Sequence, residues 1–116
     1  MTGNENSQTD VVHMRVNALT QGWREIPWPF AELIVMQDKI VVESHFPHWW
    51  SAGAAACRSD IKAIVAKKIF GGLSLEVRFE ENRQAWKIGV GTSTRKLLNA
   101  LEANTYPVVH ASIFRR

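Results

Sequence analysis

The sequence holds one cysteine, one tyrosine and four prolines, and it contains no long stretch of any single character. A lone thiol, Cys57, cannot close an internal disulfide, so the fold must rest on its core, and the chain suits a reducing compartment. No apolar run approaches the roughly 18 residues that a membrane-crossing helix needs. Positions 1–10, MTGNENSQTD, lack the basic start, apolar stretch and small-residue cleavage site of a secretory signal. Nowhere do five like charges stand together; the densest basic groupings are the Lys67-Lys68, Arg95-Lys96 and Arg115-Arg116 pairs. A dedicated nucleic-acid binder of this size clusters more Lys and Arg on one element. The phosphate-loop pattern GxxxxGK[ST] and the nucleophile elbow are also missing. These absences lead to the expectation of a cytoplasmic protein with no transmembrane segment.

What is present fits one domain. The chain has 116 residues, 46% of them hydrophobic and 22% charged, which is enough to build a single core and too apolar for wholesale disorder. The polar start, 1–10, reads as a disordered tail. With its Glu5 and Asp10 set aside, 14 basic residues stand against 9 acidic ones, a weak preference for acidic partners.

Most of the chain alternates with a period of two. Val12, Met14, Val16 and Ala18 interleave with His13, Arg15 and Asn17, the mark of a half-buried strand. Residues 20–30 hold Gly22, Pro27 and Pro29 beside Trp23 and Trp28, which predicts a packed loop. Residues 31–36 and 40–44 flank Gln37-Asp38-Lys39 as a hairpin. HFPHWWSAGAA interrupts the pattern, and strand character resumes near 54–58. A second hairpin follows, with 61–69 and the strictly alternating Leu73, Leu75, Val77 and Phe79 on either side of Gly71-Gly72. Trp86, Ile88 and Val90 then alternate with Lys87 and Gly89.

The period changes in TSTRKLLNALEAN. Thr94, Leu97, Leu98 and Leu101 share one helical face, so a helix is predicted over 92–104. Thr92 or Ser93 can cap its amino end through a side-chain oxygen, and Asn104 can stop it in the left-handed conformation.

About seven strands followed by one helix make the chain mainly β, an α+β fold. The hairpin WPFAELIVMQDKIVVES, the segment RSDIKAI before a long strand, and the ending LLNALEANTYPV carry a likeness over roughly 28–109. In these the chain resembles the pleckstrin-homology-like (PH-like) superfold, a split barrel of antiparallel strands capped by a C-terminal helix, and within it short uncharacterised bacterial proteins. The resemblance implies a PH-like β-barrel domain over 11–109, a C-terminal tail at 110–116, and a binding scaffold whose ligands include lipid headgroups, peptides and proteins. The first interstrand loop, basic where that superfold binds phosphoinositides, is TQGWREIPWPF here, with one Arg, no Lys and an opposing Glu25.

Four constellations hold residue types suited to chemistry or contact. His45 and His48 with Cys57 are zinc-ligand types but lack a second pair at finger spacing, so no metal and no cofactor are expected. Cys57 lies in the small-residue run AAACR, which points to a buried, inert thiol rather than a nucleophile; with no paired acid and base at a credible spacing, no catalytic residue is expected and the protein is read as a non-enzyme. The third is Gly89 to Lys96, a strand running through two glycines into a helix. Its Thr92, Ser93, Arg95 and Lys96 are candidates for binding an anionic ligand, either a phosphate-containing headgroup or small molecule or an acidic peptide. The last is the set of loop tryptophans Trp23, Trp28, Trp49 and Trp50, a candidate interaction surface because Trp is enriched among contact hot spots. Function is therefore expected to be non-catalytic binding, through a protein partner or self-association at the Pro/Trp loops, with the anionic ligand as the alternative.

Overall fold

The computed structural model describes residues 11–20, 24–45, 53–81 and 83–111. The polar start, Trp23, His48, Trp49 and Trp50 lie outside the described residues. Among the described residues, eight strands form one sheet curled into a half-barrel, with one α-helix. In chain order they are β1 (Val12–Thr20), β2 (Arg24–Val35), β3 (Lys39–Ser44), β4 (Gly53–Cys57), β5 (Ile61–Ile69), β6 (Gly72–Phe79) and β7 (Trp86–Val90). The helix α1 (Thr94–Ala103) and β8 (Val108–Ala111) follow. Their order across the sheet is β4-β3-β2-β1-β7-β6-β5-β8.

All pairings are antiparallel except β5 with β8, which run parallel from Ile64↔Val108 to Lys67↔Ala111. Among the described residues the count is thus eight where about seven are expected, and the last strand takes in His110 and Ala111, which the sequence assigned to the tail. A four-residue strand with a burial pattern of two exposed positions between two half-buried ones shows no alternation to detect.

The core follows from the period-two pattern. Val16, Leu33, Val42, Ile64, Leu75 and Ile88 are buried on the concave side of the sheet, each worth roughly 1.5–3 kcal/mol of transfer free energy. Trp86 is fully buried and meets Phe79 edge-on at 5.4 Å, while its indole Nε1 has no partner among the described residues. Gly71 turns the β5–β6 hairpin at φ 86°, and a Cβ on Gly72 would sit 2.1 Å from the Val90 carbonyl oxygen. Both positions of the Gly-Gly dipeptide are therefore needed, the first for dihedral and the second for space.

Residues 24–30 are not the loop that the prolines suggest. β2 starts at Arg24 and pairs with β1 from Thr20↔Arg24 to Ala18↔Ile26, then resumes at Val16↔Ala31. Residues 27–30 thus face only Asn17. Proline has no N–H to give a ladder. The strand accordingly lifts Pro27-Trp28-Pro29-Phe30 out as an arch and continues beyond it, with the Trp28–Pro29 peptide cis.

The helix buries Leu97, Ala100 and Leu101, joined in the next turn by Asn104. Leu98 is only half-buried, so the inward stripe lies about one residue further round than the Thr94/Leu97/Leu98/Leu101 face predicted from the sequence. The carboxyl end is closed by Thr105, not Asn104, in the left-handed region at φ 62°. Thr105 N–H donates to Glu102 O and Tyr106 N–H to Leu101 O, pairing the final carbonyls. Asn104 instead keeps φ −93° and turns its amide inward to Ala100 O at 2.9 Å.

Candidate functional site

Two places combine accessibility with the residue types singled out above. The first is the β2 arch. Trp28 is 63% exposed and Phe30 39% exposed. Arg15 on β1 donates from Nη1 to the Pro29 carbonyl at 2.9 Å, and His45 N–H donates to Phe30 O at 2.7 Å. The arch is thus tied to both neighbouring strands, which hold two aromatic side chains out against solvent. The sequence located Trp28; it did not anticipate that a strand on each side would present it.

The second is a cleft of about 420 Å³ between α1 and the β5–β6–β8 end of the sheet. Lys68, Thr94, Arg95, Asn99, Glu102 and His110 supply its polar lining, and Leu73 and Leu98 contribute apolar surface. Three basic side chains from β5, α1 and β8 thus converge, and the carboxylate opposing them, Glu102, stands 3.3 Å from His110 Nε2. Lys68 and Arg95 have no ion-pair or hydrogen-bond partner among the described residues. Half-buried Leu98 packs against the core with part of its side chain and lines this cleft with the rest.

The helix start adds to the charge imbalance. Ser93 occupies the capping position but with φ 57°, and its side chain makes no capping hydrogen bond, contrary to the expectation of a hydroxyl cap. In the left-handed conformation the Oγ is not directed at the amides of the first turn as it is from the extended conformation of a usual N-cap. That first turn holds no acidic residue, while Arg95 and Lys96 sit where the helix dipole is positive. Of the four candidate ligand residues, Arg95 lines the cleft; Thr92, Ser93 and Lys96 are exposed and are not among its lining residues. Lys68 and His110 were missed because only the β5–β8 pairing brings them near residue 95.

The structure separates the histidine–cysteine group. Cys57 pairs with Lys39 at one end of β3, and His45 follows the other end. Nor is the thiol buried: Ala56 takes the inward position of β4 and Cys57 the outward one. Alternation, not the apolar character of AAAC, decides which side faces the core. The carboxyl end of α1 is closed differently from its start. Arg58 donates through Nη1 to Asn104 O at 2.7 Å and Thr105 Oγ1 at 2.6 Å, and Tyr106 donates its hydroxyl to Met36 O at 2.8 Å. Burial, with Asp38 and Cys57 adding to it and Arg58 opposing, pushes the Tyr106 phenol up to about 12.

No helix among the described residues is long and apolar enough to cross a membrane. In comparisons with known proteins, the chain matches no family model and no curated protein.

Proposed function

We propose that the chain is a non-catalytic binding module that engages a protein partner, or a second copy of itself, through the Pro27–Phe30 arch. The observation that carries this is Trp28 at 63% exposure next to Phe30 at 39%, on a segment fixed by hydrogen bonds from β1 and from His45. Large aromatics held rigidly in solvent lose little conformational freedom on docking, which is why they dominate contact energies. A PH-like architecture belongs to the same reading; what supports it is two antiparallel runs, β1–β4 and β5–β7, joined by β1 and β7, with the helix after the seventh strand.

The test is sedimentation of the wild type alongside Trp28→Ser and Phe30→Ser, with acrylamide quenching of tryptophan emission. Concentration-dependent association that both substitutions abolish supports the reading for self-association. Co-purification of a partner that depends on Trp28 supports it for a second protein. A strict monomer whose tryptophans resist quenching, retaining no partner, removes it.

The cleft favours a second reading, a small anionic ligand held by Lys68, Arg95 and His110. Calorimetric titration with inorganic phosphate should show binding that weakens steeply with salt and disappears in Arg95→Glu. Absence of phosphate binding by the wild type at low salt eliminates this alternative.

A further inference from the structure

The convex face of β1, β2 and β3 carries a constellation that neither the arch nor the cleft uses. Alternation sends His13, Glu32 and Glu43 outward from three adjacent strands, and His45 follows β3 on the same face. Glu32 lies between the imidazoles, with His13 Nδ1 at 2.9 Å from one carboxylate oxygen and His45 Nε2 at 2.6 Å from the other. Burial alone would push this carboxyl up, but the hydrogen bonds from His45 and His13 outweigh it and hold the group below the usual carboxylate range.

Glu43 stands directly opposite Glu32 in the β2–β3 register. No hydrogen bond or ion pair holds it among the described residues. Two carboxylates facing each other across a strand pair repel, and such pairs are disfavoured without a countercharge. Arg15, cross-strand from Glu32, is engaged with the Pro29 carbonyl instead. One donor atom from each of Glu32, Glu43 and His45 lies within 4.8 Å of the other two.

We propose that Glu32, Glu43 and His45 bind a divalent cation of the zinc type, with His13 orienting the Glu32 carboxylate from behind. One imidazole with two carboxylates and no thiolate is a borderline donor set that suits zinc and its first-row neighbours. Magnesium and calcium prefer all-oxygen sites. Ligands of a zinc ion sit roughly 3.3 Å apart. The 2.6 Å contact between His45 and Glu32 therefore opens and the wider separations close, by torsions of the exposed His45 and Glu43 side chains. Glu32 keeps one oxygen for the metal and the other for His13, the arrangement in which an outer partner fixes a ligand's direction. Three protein ligands leave a coordination position to water. The cation neutralises the facing carboxylates, which gives the pair a physical reason to stand opposite each other.

The experiment is calorimetric titration of chelator-stripped full chain with zinc chloride, and separately with calcium chloride. It is repeated on His45→Ala, Glu43→Gln, His13→Ala and the control His110→Ala. All these side chains are exposed, and thermal melting confirms that each variant folds. Cobalt(II) absorption reports coordination by the same residues. The expected result is one zinc site, weakened more than about tenfold in His45→Ala and Glu43→Gln, about tenfold in His13→Ala, and unchanged in His110→Ala. Absence of zinc binding by the wild type overturns the proposal. So does binding that His45→Ala and Glu43→Gln leave intact, or calcium binding of equal strength that ignores His45.

Discussion

The two ends of α1 are built on opposite principles. At the carboxyl end every available device is used: Thr105 and Tyr106 amides return to Glu102 and Leu101, Arg58 brings a cation to Asn104 O, and Tyr106 ties the turn to Met36. A positive charge there also complements the dipole. At the amino end Ser93 provides no side-chain cap and two cations oppose the dipole beside the cleft. One end is fastened to the sheet; the other keeps an electrostatic imbalance that an anion would relieve.

The largest expected effect comes from cutting the fastened end. Tyr106→Ala removes a side chain that is 4% exposed together with its hydrogen bond, and should cost about 3–5 kcal/mol in urea unfolding. Next comes alkaline pH. The folded phenol is raised from 10.0 to about 12, so its contribution is fully present below pH 10 and drains away as pH rises from 10 towards 12. The loss should be on the order of 1–2 kcal/mol, and Tyr106→Phe should flatten that part of the pH profile. A profile unaltered by Tyr106→Phe would mean the hydroxyl is not held as described.

At the opposite end the sign reverses. Arg95→Glu places an acid in the first turn and should stabilise the free protein by about 0.3–1 kcal/mol while removing phosphate binding. Destabilisation in thermal melting would show that Arg95 serves the fold, and the contrast between the ends would collapse. The smallest effect is at Thr105, where a β-branched residue holds φ 62°. Thr105→Gly relieves roughly 1–2 kcal/mol of backbone strain and gives up the Arg58 hydrogen bond, worth roughly 0.5–1.5 kcal/mol. Melting should shift by no more than a few degrees, upwards if strain dominates.

Much of the barrel was legible because strands report their neighbours through period two. The β5–β6 hairpin, with Gly71-Gly72 between alternating Leu73, Leu75, Val77 and Phe79, was readable in full, as were β1, β3, β7 and the existence of the helix. Pro27 and Pro29 misled because a missing N–H forbids a ladder bond only locally, and four residues lifted out of register satisfy that restriction without ending the strand. The helix face was misjudged because Leu97 and Leu98 are equally apolar; the sheet beneath accepts Leu97, Ala100 and Leu101, and the cleft takes Leu98. Trp28 and Arg95 stood out in the sequence, and the structure places the one at the surface and the other in the cleft lining; Lys68 and His110 did not stand out. His13, Glu32 and Glu43 carried no local signal either, since their spacing along the chain is set by strand lengths and not by a motif.

The sequence by itself determined the elements: which residues alternate, where glycine must turn the chain, and where the period changes to that of a helix. These are properties of neighbours along the backbone. Only the tertiary structure decided that β5 and β8 pair in parallel to bring Lys68 and His110 to Arg95. It alone decided that Glu32 faces Glu43 between His13 and His45, and that Trp28 is lifted clear of the sheet on an arch. Strand register and sheet order set those distances, and both are fixed by the packing of the whole core.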